Sequence, residues 1–245
     1  MLRYIQYETS QDFFEQCSNF VGEPLVVCPN PQKADEARRR FDEAGHNFDT
    51  ITISKFMQDQ MKALLGEDAT SKRKNKSALT LFLGAIWKKL KTESDYMSFV
   101  HAFNIFTELR SYSVETPVIQ GVLELYDESL AEIINVFQNV MTDLDIVDEH
   151  GAYNLLTQRI REGDLPVDFE FPQELLLYGF ETMTASQLDL LKTLSARTEI
   201  GLLIHKHLLE SSTELDWVGW LKTDSIETVP SKEKIKRTVK AFEFS

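Results

Sequence analysis

The chain has few of the residues that mark several protein classes. Its 245 residues include only two cysteines, Cys17 and Cys28, with ten glycines and seven prolines. Two cysteines in apolar segments indicate small core residues and give no support to a disulfide framework or a cysteine-rich zinc site. No stretch approaches the roughly 20 uninterrupted apolar residues that a membrane-spanning helix needs. We therefore expect a globular protein of a reducing, cytosolic compartment, with no membrane partner.

Basic residues are outnumbered by acidic residues. The chain has 26 Lys and Arg against 39 Asp and Glu, a formal net charge of −13. A phosphate backbone would be repelled on average, which argues against a nonspecific nucleic-acid coat protein. The basic residues are nevertheless clustered, so DNA contact by one face of the protein is allowed. The clusters lie at Arg38–Arg40, Lys72–Lys76, Lys88–Lys91 and Lys232–Lys240.

The two ends of the chain contain strand-like runs. Leu25–Cys28 and Glu174–Tyr178 are almost continuously apolar, as buried parallel strands are. Further strand-like runs lie at 3–7, 50–53, 199–204 and 238–244. These runs predict a sheet built from both ends of the chain.

Helical patterns follow these strands. The charged segment 32–44 predicts a helix with Ala34, Ala37 and Phe41 on its inner face, ended by Gly45. The other helices predicted at the two ends span 11–20, with Ser10 as the N-cap, 55–65 and 184–195. Strands that alternate with helices predict a parallel sheet with right-handed crossovers.

The middle of the chain has almost only helical patterning. Apolar residues recur three and four positions apart at 80–90, 96–109, 118–140 and 152–160. We therefore predict an α/β domain formed by residues 1–68 and 165–245, into which an all-helical subdomain of residues 69–164 is inserted.

The loop that would bind a nucleotide in such a domain is missing. A phosphate-binding loop requires G-x-x-x-x-G-K-[ST], because backbone amides must surround the phosphates and a Lys must reach them. None of the ten glycines is followed by Lys, and the first strand-to-helix turn, Glu8–Ser10, has no glycine. An intact phosphate loop is therefore excluded.

Two other motifs are weak. Asp148 and Glu149 look like the start of an ATPase Walker B element, but the preceding residues 141–145 do not form the buried strand that this element needs. They are better interpreted as an acidic loop and helix start. His205 and His207 follow a strand, but two histidines without a third ligand make a poor metal site. We predict no metal site.

The apolar run and helix near the N-terminus carry a resemblance. Leu25–Ala34 with the helix ending in Arg38–Phe41 resembles motif Ia of superfamily 1 UvrD/RecB-type DNA helicases, with Lys33 and Ala34 matching. Ile51–Phe56 resembles the T-F-H-S-F segment of the same family. The helical block lies where that family inserts its 1B subdomain.

The most informative match is Leu177–Gln187, which resembles the family's Walker B segment, V-D-E-F-Q-D-T-x-x-x-Q. Phe180 and Gln187 hold their places, but Tyr178 and Gly179 stand where the Mg²⁺-binding Asp and the catalytic Glu would be. Residues 200–204 then resemble the motif III strand. The order of these segments along the chain is most similar to that of the inactivated helicase domain of AddB-type subunits of bacterial AddAB helicase–nucleases.

The resemblance implies a RecA-like fold that uses no cofactor and performs no catalysis. It implies a bacterial, cytoplasmic scaffold for double-strand-break resection, with single- or double-stranded DNA and an AddA-like helicase–nuclease subunit as partners. It also implies a longer protein with a second helicase-like domain and a C-terminal PD-(D/E)XK nuclease domain. Carried over from the family, the residues expected to contact DNA through their side chains or turn amides are Asn30, Lys33, Thr52, Ser54 and Lys55. The basic stretch Lys72, Arg73 and Lys74 is a second candidate contact.

Two other functions remain open on the sequence alone. One is a divergent but active ATP-dependent enzyme that uses Asp148 and Glu149 as metal ligands. The other is a protein–protein adaptor without DNA contact, whose acidic surface docks on a basic partner.

Overall fold

The computed structural model describes most of the chain. The described residues are 2–17, 22–66, 74, 78–79, 81–82, 84, 96–112, 118, 121, 124–125, 128–205 and 228–229. The strand predicted at 238–244 and most of the helix predicted at 80–90 lie outside these residues. So do Lys72, Arg73 and His207.

The fold is of the α/β class, with a parallel sheet. Its strands are β1 (Leu2–Tyr7), β2 (Leu25–Cys28), β3 (Thr50–Thr52), β4 (Glu174–Tyr178), β5 (Glu199–His205) and β6 (Thr228–Val229). They are ordered β3-β2-β4-β5-β1-β6, and every neighbouring pair is parallel. The prediction of a parallel sheet built from both ends of the chain is confirmed. The two-residue strand β6 was not predicted.

The strands β2 and β4 are neighbours because both are apolar on both faces. Val26 pairs with Leu176 and Val27 with Leu177 in the ladder, and all four side chains are at most 1% exposed. Continuous apolar runs of this kind need cover on both sides of the sheet. This pairing joins segments about 150 positions apart in the sequence and fixes where their carboxyl ends meet.

The helices α1 (Ser10–Cys17), α2 (Pro31–Glu43) and α3 (Ile53–Leu65) follow the first three strands. In α2, Ala34, Ala37 and Phe41 are buried as predicted. Gly45, just after that helix, has the left-handed φ of +80° that ends many helices.

Two predicted helix starts are wrong by one position or more. The N-cap of α1 is Thr9 and not Ser10, because the Thr9 hydroxyl accepts from the Asp12 amide at 3.1 Å while the Asp12 carboxylate accepts from the Thr9 amide at 3.0 Å. This reciprocal pair is a capping box. Ile53 belongs to α3 and not to the preceding strand, because Thr52 caps that helix.

The remaining described helices are α4 (Tyr96–Ser111), α5 (Glu128–Asp143), α6 (Glu149–Glu162) and α7 (Ala185–Leu194). Phe103 and Phe106 of α4 pack with Phe137 of α5 in a cluster of buried residues. Within the described ranges, none of the helices combines the length and apolar character needed to cross a bilayer.

The chain divides into two compact units. The first, which holds the sheet, comprises Met1–Asp59, Val167–Met183 and Leu191–Ser245. The second comprises Gln60–Pro166 and Thr184–Leu190. Each unit has its own cluster of buried apolar side chains.

Candidate functional site: the carboxyl edge of the sheet

The sheet topology singles out the carboxyl ends of β2 and β4. From β2 the chain continues to β3 on one side, whereas from β4 it continues to β5 on the other side. In open α/β sheets, ligands bind at such a reversal of direction, outside the carboxyl ends of the two strands. Here that edge is formed by the turns at Asn30 and Gly179.

Tyr178 ends β4 with a buried side chain that is 1% exposed. Its hydroxyl accepts a hydrogen bond from Arg40 Nη1 at 3.1 Å and donates one to Glu36 Oε1 at 2.7 Å. Burial raises the pKa of Tyr178 well above its ordinary value, so this phenol stays neutral. A neutral hydroxyl with both of these partners is a poor replacement for a Mg²⁺-binding carboxylate.

Gly179 follows with a φ of +76°. A Cβ atom at this position would lie 3.0 Å from Cδ of Lys33 and 3.2 Å from its Cγ. A residue with a side chain would therefore be strained in its backbone and crowded against Lys33. This turn therefore favours glycine.

Arg40 lies between the ends of two strands. Its guanidinium carbon is 4.6 Å from the ring centroid of Phe13 and 5.5 Å from that of Tyr7. It also donates to the Ser10 hydroxyl at 3.4 Å. Burial by itself would lower the pKa of Arg40, but its interactions with the oxygens of Tyr178 and Tyr7 outweigh burial, and the net shift is upward. Arg40 is therefore a fixed cation at this edge.

The turn after β1 is closed by a carboxylate. The amides of Glu8 and Thr9 both donate to Asp12 Oδ2, at 3.3 and 3.0 Å. These are amides of the strand-to-helix turn that would face phosphate in a phosphate-binding loop. The chain thus supplies its own anion where such a loop would hold an external one.

The turn at the end of β2 holds the first pair of predicted DNA contacts. The exposed Asn30 caps α2 by accepting the Lys33 amide at 2.9 Å, and Lys33 Nζ is 3.0 Å from Glu36 Oε2. Burial alone would raise the pKa of Glu36, but hydrogen bonds from Tyr178 and Lys33 lower it overall. Glu36 is therefore held in its charged form between these two partners.

The turn at the end of β3 has the same construction. Thr52 accepts the Lys55 amide at 3.2 Å, and Lys55 Nζ is 2.6 Å from Asp59 Oδ1. Ser54 is exposed in the first turn of the same helix. Because Cys28 pairs with Thr52 in the ladder, the two turns lie side by side.

Two of the turn amides at this edge are already bonded within the chain. The amides of Lys33 and Lys55 donate to the capping side-chain oxygens of Asn30 and Thr52. An N-cap satisfies the donors of a first helical turn in this way. The side chains of both lysines also have a carboxylate partner, Glu36 for Lys33 and Asp59 for Lys55.

The second expected contact is only partly described. Lys72 and Arg73 lie outside the described residues. The backbone amide of Lys74 donates to the Val147 carbonyl at 2.9 Å, which fixes its main chain beside the start of α6.

The interpretation of Asp148 and Glu149 as a loop and helix start is confirmed. Asp148 is the N-cap of α6 and accepts the Gly151 amide at 2.6 Å. Its carboxylate also pairs with Arg110 at 3.3 Å. Across the described part of the chain, no three His, Cys, Asp or Glu side chains come together as a metal site would require.

Gln187, which matches the helicase pattern, has a local structural role. The Thr184 amide donates to Gln187 Oε1 at 3.0 Å, while the Gln187 amide donates to the Thr184 hydroxyl at 3.4 Å. This capping box starts α7. Gln187 Nε2 also donates to the Tyr153 hydroxyl at 3.3 Å, so its side chain both caps α7 and binds α6.

The sequence reasoning missed Asp12, Glu36 and Arg40. It treated Arg38–Arg40 as one basic cluster, but the three arginines diverge: Arg38 pairs with Asp35 at 2.8 Å, Arg39 is exposed, and Arg40 faces Tyr178. The available signal was the spacing of Lys33, Glu36 and Arg40, which places them on one face of a helix.

No protein-family model matches this chain, and no curated protein gives a match to it.

Proposed function

We propose that this chain is a non-catalytic, helicase-like scaffold of a helicase–nuclease that resects DNA double-strand breaks. It would guide or read DNA while an AddA-like partner subunit supplies the motor. The proposal includes a RecA-like fold for residues 1–68 and 165–245 and a helical insertion at 69–164. Its basis is the resemblance to AddB-type subunits together with the geometry of the sheet edge.

The observation that carries the proposal is the occupation of the ends of β1 and β4 by the chain's own side chains. Asp12 accepts hydrogen bonds from the turn amides after β1. The hydroxyl of Tyr178 accepts from Arg40 and donates to Glu36. ATP hydrolysis needs a phosphate cradle at one of these positions and carboxylates for Mg²⁺ and water at the other. The side chains present at these two strand ends meet neither requirement.

The strand order supports the same interpretation. The all-parallel order with β5 between β1 and β4 is compatible with a RecA-like α/β domain. By the resemblance, the ends of β1 and β4 are the two that would carry the phosphate loop and the Walker B residues.

The DNA-facing part of the proposal rests on the turns after β2 and β3. Each places a lysine in the first turn of a helix at the same edge of the sheet, Lys33 in α2 and Lys55 in α3. Adjacent cations with about one strand spacing between them can track a phosphate backbone. We infer that single-stranded DNA crosses this edge.

The experiment measures two ligands on the same protein. Calorimetry with ATP·Mg²⁺ should give no binding. Fluorescence anisotropy with a labelled single-stranded oligonucleotide should give salt-dependent binding that is weaker in Lys33→Ala with Lys55→Ala. Losing two phosphate contacts should reduce the slope of log affinity against log salt by about 1.4. The matched control is Lys62→Ala with Lys192→Ala, which removes the same charge and should keep the slope.

Each alternative has its own outcome. Micromolar affinity for ATP·Mg²⁺ would favour a divergent active enzyme. Absence of DNA binding by the wild-type chain would favour an adaptor that contacts only protein. Equal losses in the two double variants would mean that net charge, and not the sheet edge, governs DNA binding.

A further inference from the structure

Arg40 connects two strand ends that do not pair with each other. Its Nη1 bonds the hydroxyl of Tyr178 at the end of β4, and its Nη2 bonds the hydroxyl of Ser10 just after β1. The strand β5 lies between β1 and β4 in the sheet. The guanidinium therefore spans a central strand at the edge where α/β sheets bind ligands.

We propose that Arg40 is a built-in occupant of this edge, a positioning residue that joins the turn after β1 to the end of β4 as a bound ligand would in a related fold. The domain then needs no ligand to keep these two strand ends ordered. This inference goes beyond DNA binding and does not depend on it.

The chemistry of the site favours arginine over any other residue. The planar guanidinium has N–H donors that point in two fixed directions, so it can donate to Tyr178 and to Ser10 at the same time. A lysine ammonium group has no such fixed pair of donors. Its flat face also covers the ring of Phe13 at 4.6 Å, an arrangement typical of cation–π contacts. Neighbouring Arg39, one position earlier on the helix, is exposed.

The bridge continues beyond Tyr178. The tyrosine hydroxyl donates to Glu36 at 2.7 Å, and Glu36 accepts from Lys33 at 3.0 Å. Lys33 in turn packs its aliphatic chain against the turn at Gly179. A continuous series of hydrogen bonds thus runs from the turn after β1, through Arg40, to the turn after β2.

Hydrogen exchange on the full chain tests the proposal without any nucleotide or DNA. In Arg40→Ala, the amides of Glu8 and Thr9 and those of residues 178–180 should exchange at least tenfold faster than in wild type. The amides of α6 should keep their wild-type rates. Methylguanidinium at millimolar concentration should restore slow exchange in Arg40→Ala, whereas methylammonium should not, since it lacks the planar donor pair. Arg39→Ala should match the wild type.

Several results would overturn the proposal. Wild-type exchange at either strand end in Arg40→Ala would show that the two ends do not need the bridge. Faster exchange spread evenly over the sheet, or not reversed by methylguanidinium, would reduce Arg40 to a general packing residue.

A second variant keeps the test valid if Arg40→Ala does not fold. Arg40→Lys retains the charge and the aliphatic stem, and it should still show faster exchange at both strand ends. Wild-type rates in Arg40→Lys would contradict the need for a two-directional donor. Tyr178→Phe should loosen the same amides, and adding Arg40→Lys to it should give little further change.

Discussion

Replacement of Gly179 by alanine tests whether this turn excludes a side chain. Its φ of +76° places a non-glycine residue in the left-handed region, which costs about 1–2 kcal/mol. The new Cβ would also lie 3.0 Å from Lys33 Cδ. Moving Lys33 means an unfavourable rotamer or the loss of its ion pair with Glu36, either of which costs roughly 0.5–1 kcal/mol. We therefore expect a total destabilisation of about 1.5–3 kcal/mol.

A matched glycine separates the two contributions. Gly45 has a φ of +80°, and a Cβ there would meet nothing within 4 Å. It belongs to the same compact unit as Gly179, so urea unfolding should report both in one transition. Gly45→Ala should cost only the backbone strain, about 1–2 kcal/mol. On a Lys33→Ala background, Gly179→Ala should fall to that same cost.

The reasoning fails if Gly179→Ala is no more destabilising than Gly45→Ala, or if the difference persists without the Lys33 side chain. Success would show that this turn selects glycine both for its backbone angle and for the limited space beside Lys33.

Two further predictions concern titratable groups. Burial lowers the pKa of His150 below its ordinary 6.5, so the unfolded chain binds a proton more readily than the folded chain does. The free energy of unfolding should therefore fall as the pH drops below about 6.5, and His150→Gln should lose this part of the pH dependence; an unchanged pH profile would contradict it. Burial also raises the pKa of Cys28 to about 12, and its side chain is 0% exposed. In a Cys17→Ser background, Cys28 should react with a thiol reagent only at the rate of unfolding, and rapid labelling of the folded protein would refute this.

Local patterns were enough to locate most of the elements near the sheet edge. The apolar runs of β2 and β4 are long enough to need burial on both faces, and Asn30 with Pro31 is a strong helix start. The lack of a phosphate loop could also be derived from the sequence, because that loop depends on residues close together in the chain. The start of α1 was misplaced because Thr9 and Ser10 are both good caps, and only the Asp12 bonds distinguish them.

The partners at the edge could not be derived in the same way. Arg40 and Tyr178 are 138 positions apart, and their contact depends on β4 lying beside β2. Helical spacing showed that Lys33, Glu36 and Arg40 share a face, but it did not show what that face meets. Likewise, β6 has two residues, too few for any periodicity to indicate a strand.

The sequence alone thus determined the class of fold, the inner face of α2 and the absence of a phosphate-loop motif, since each follows from residues within one turn or one strand of each other. Only the tertiary structure decided that Arg40 meets both Tyr178 at the end of β4 and Ser10 just after β1, on the two sides of β5. Those choices depend on the order of the strands, which brings distant segments within hydrogen-bonding distance and leaves one of three consecutive arginines facing inward.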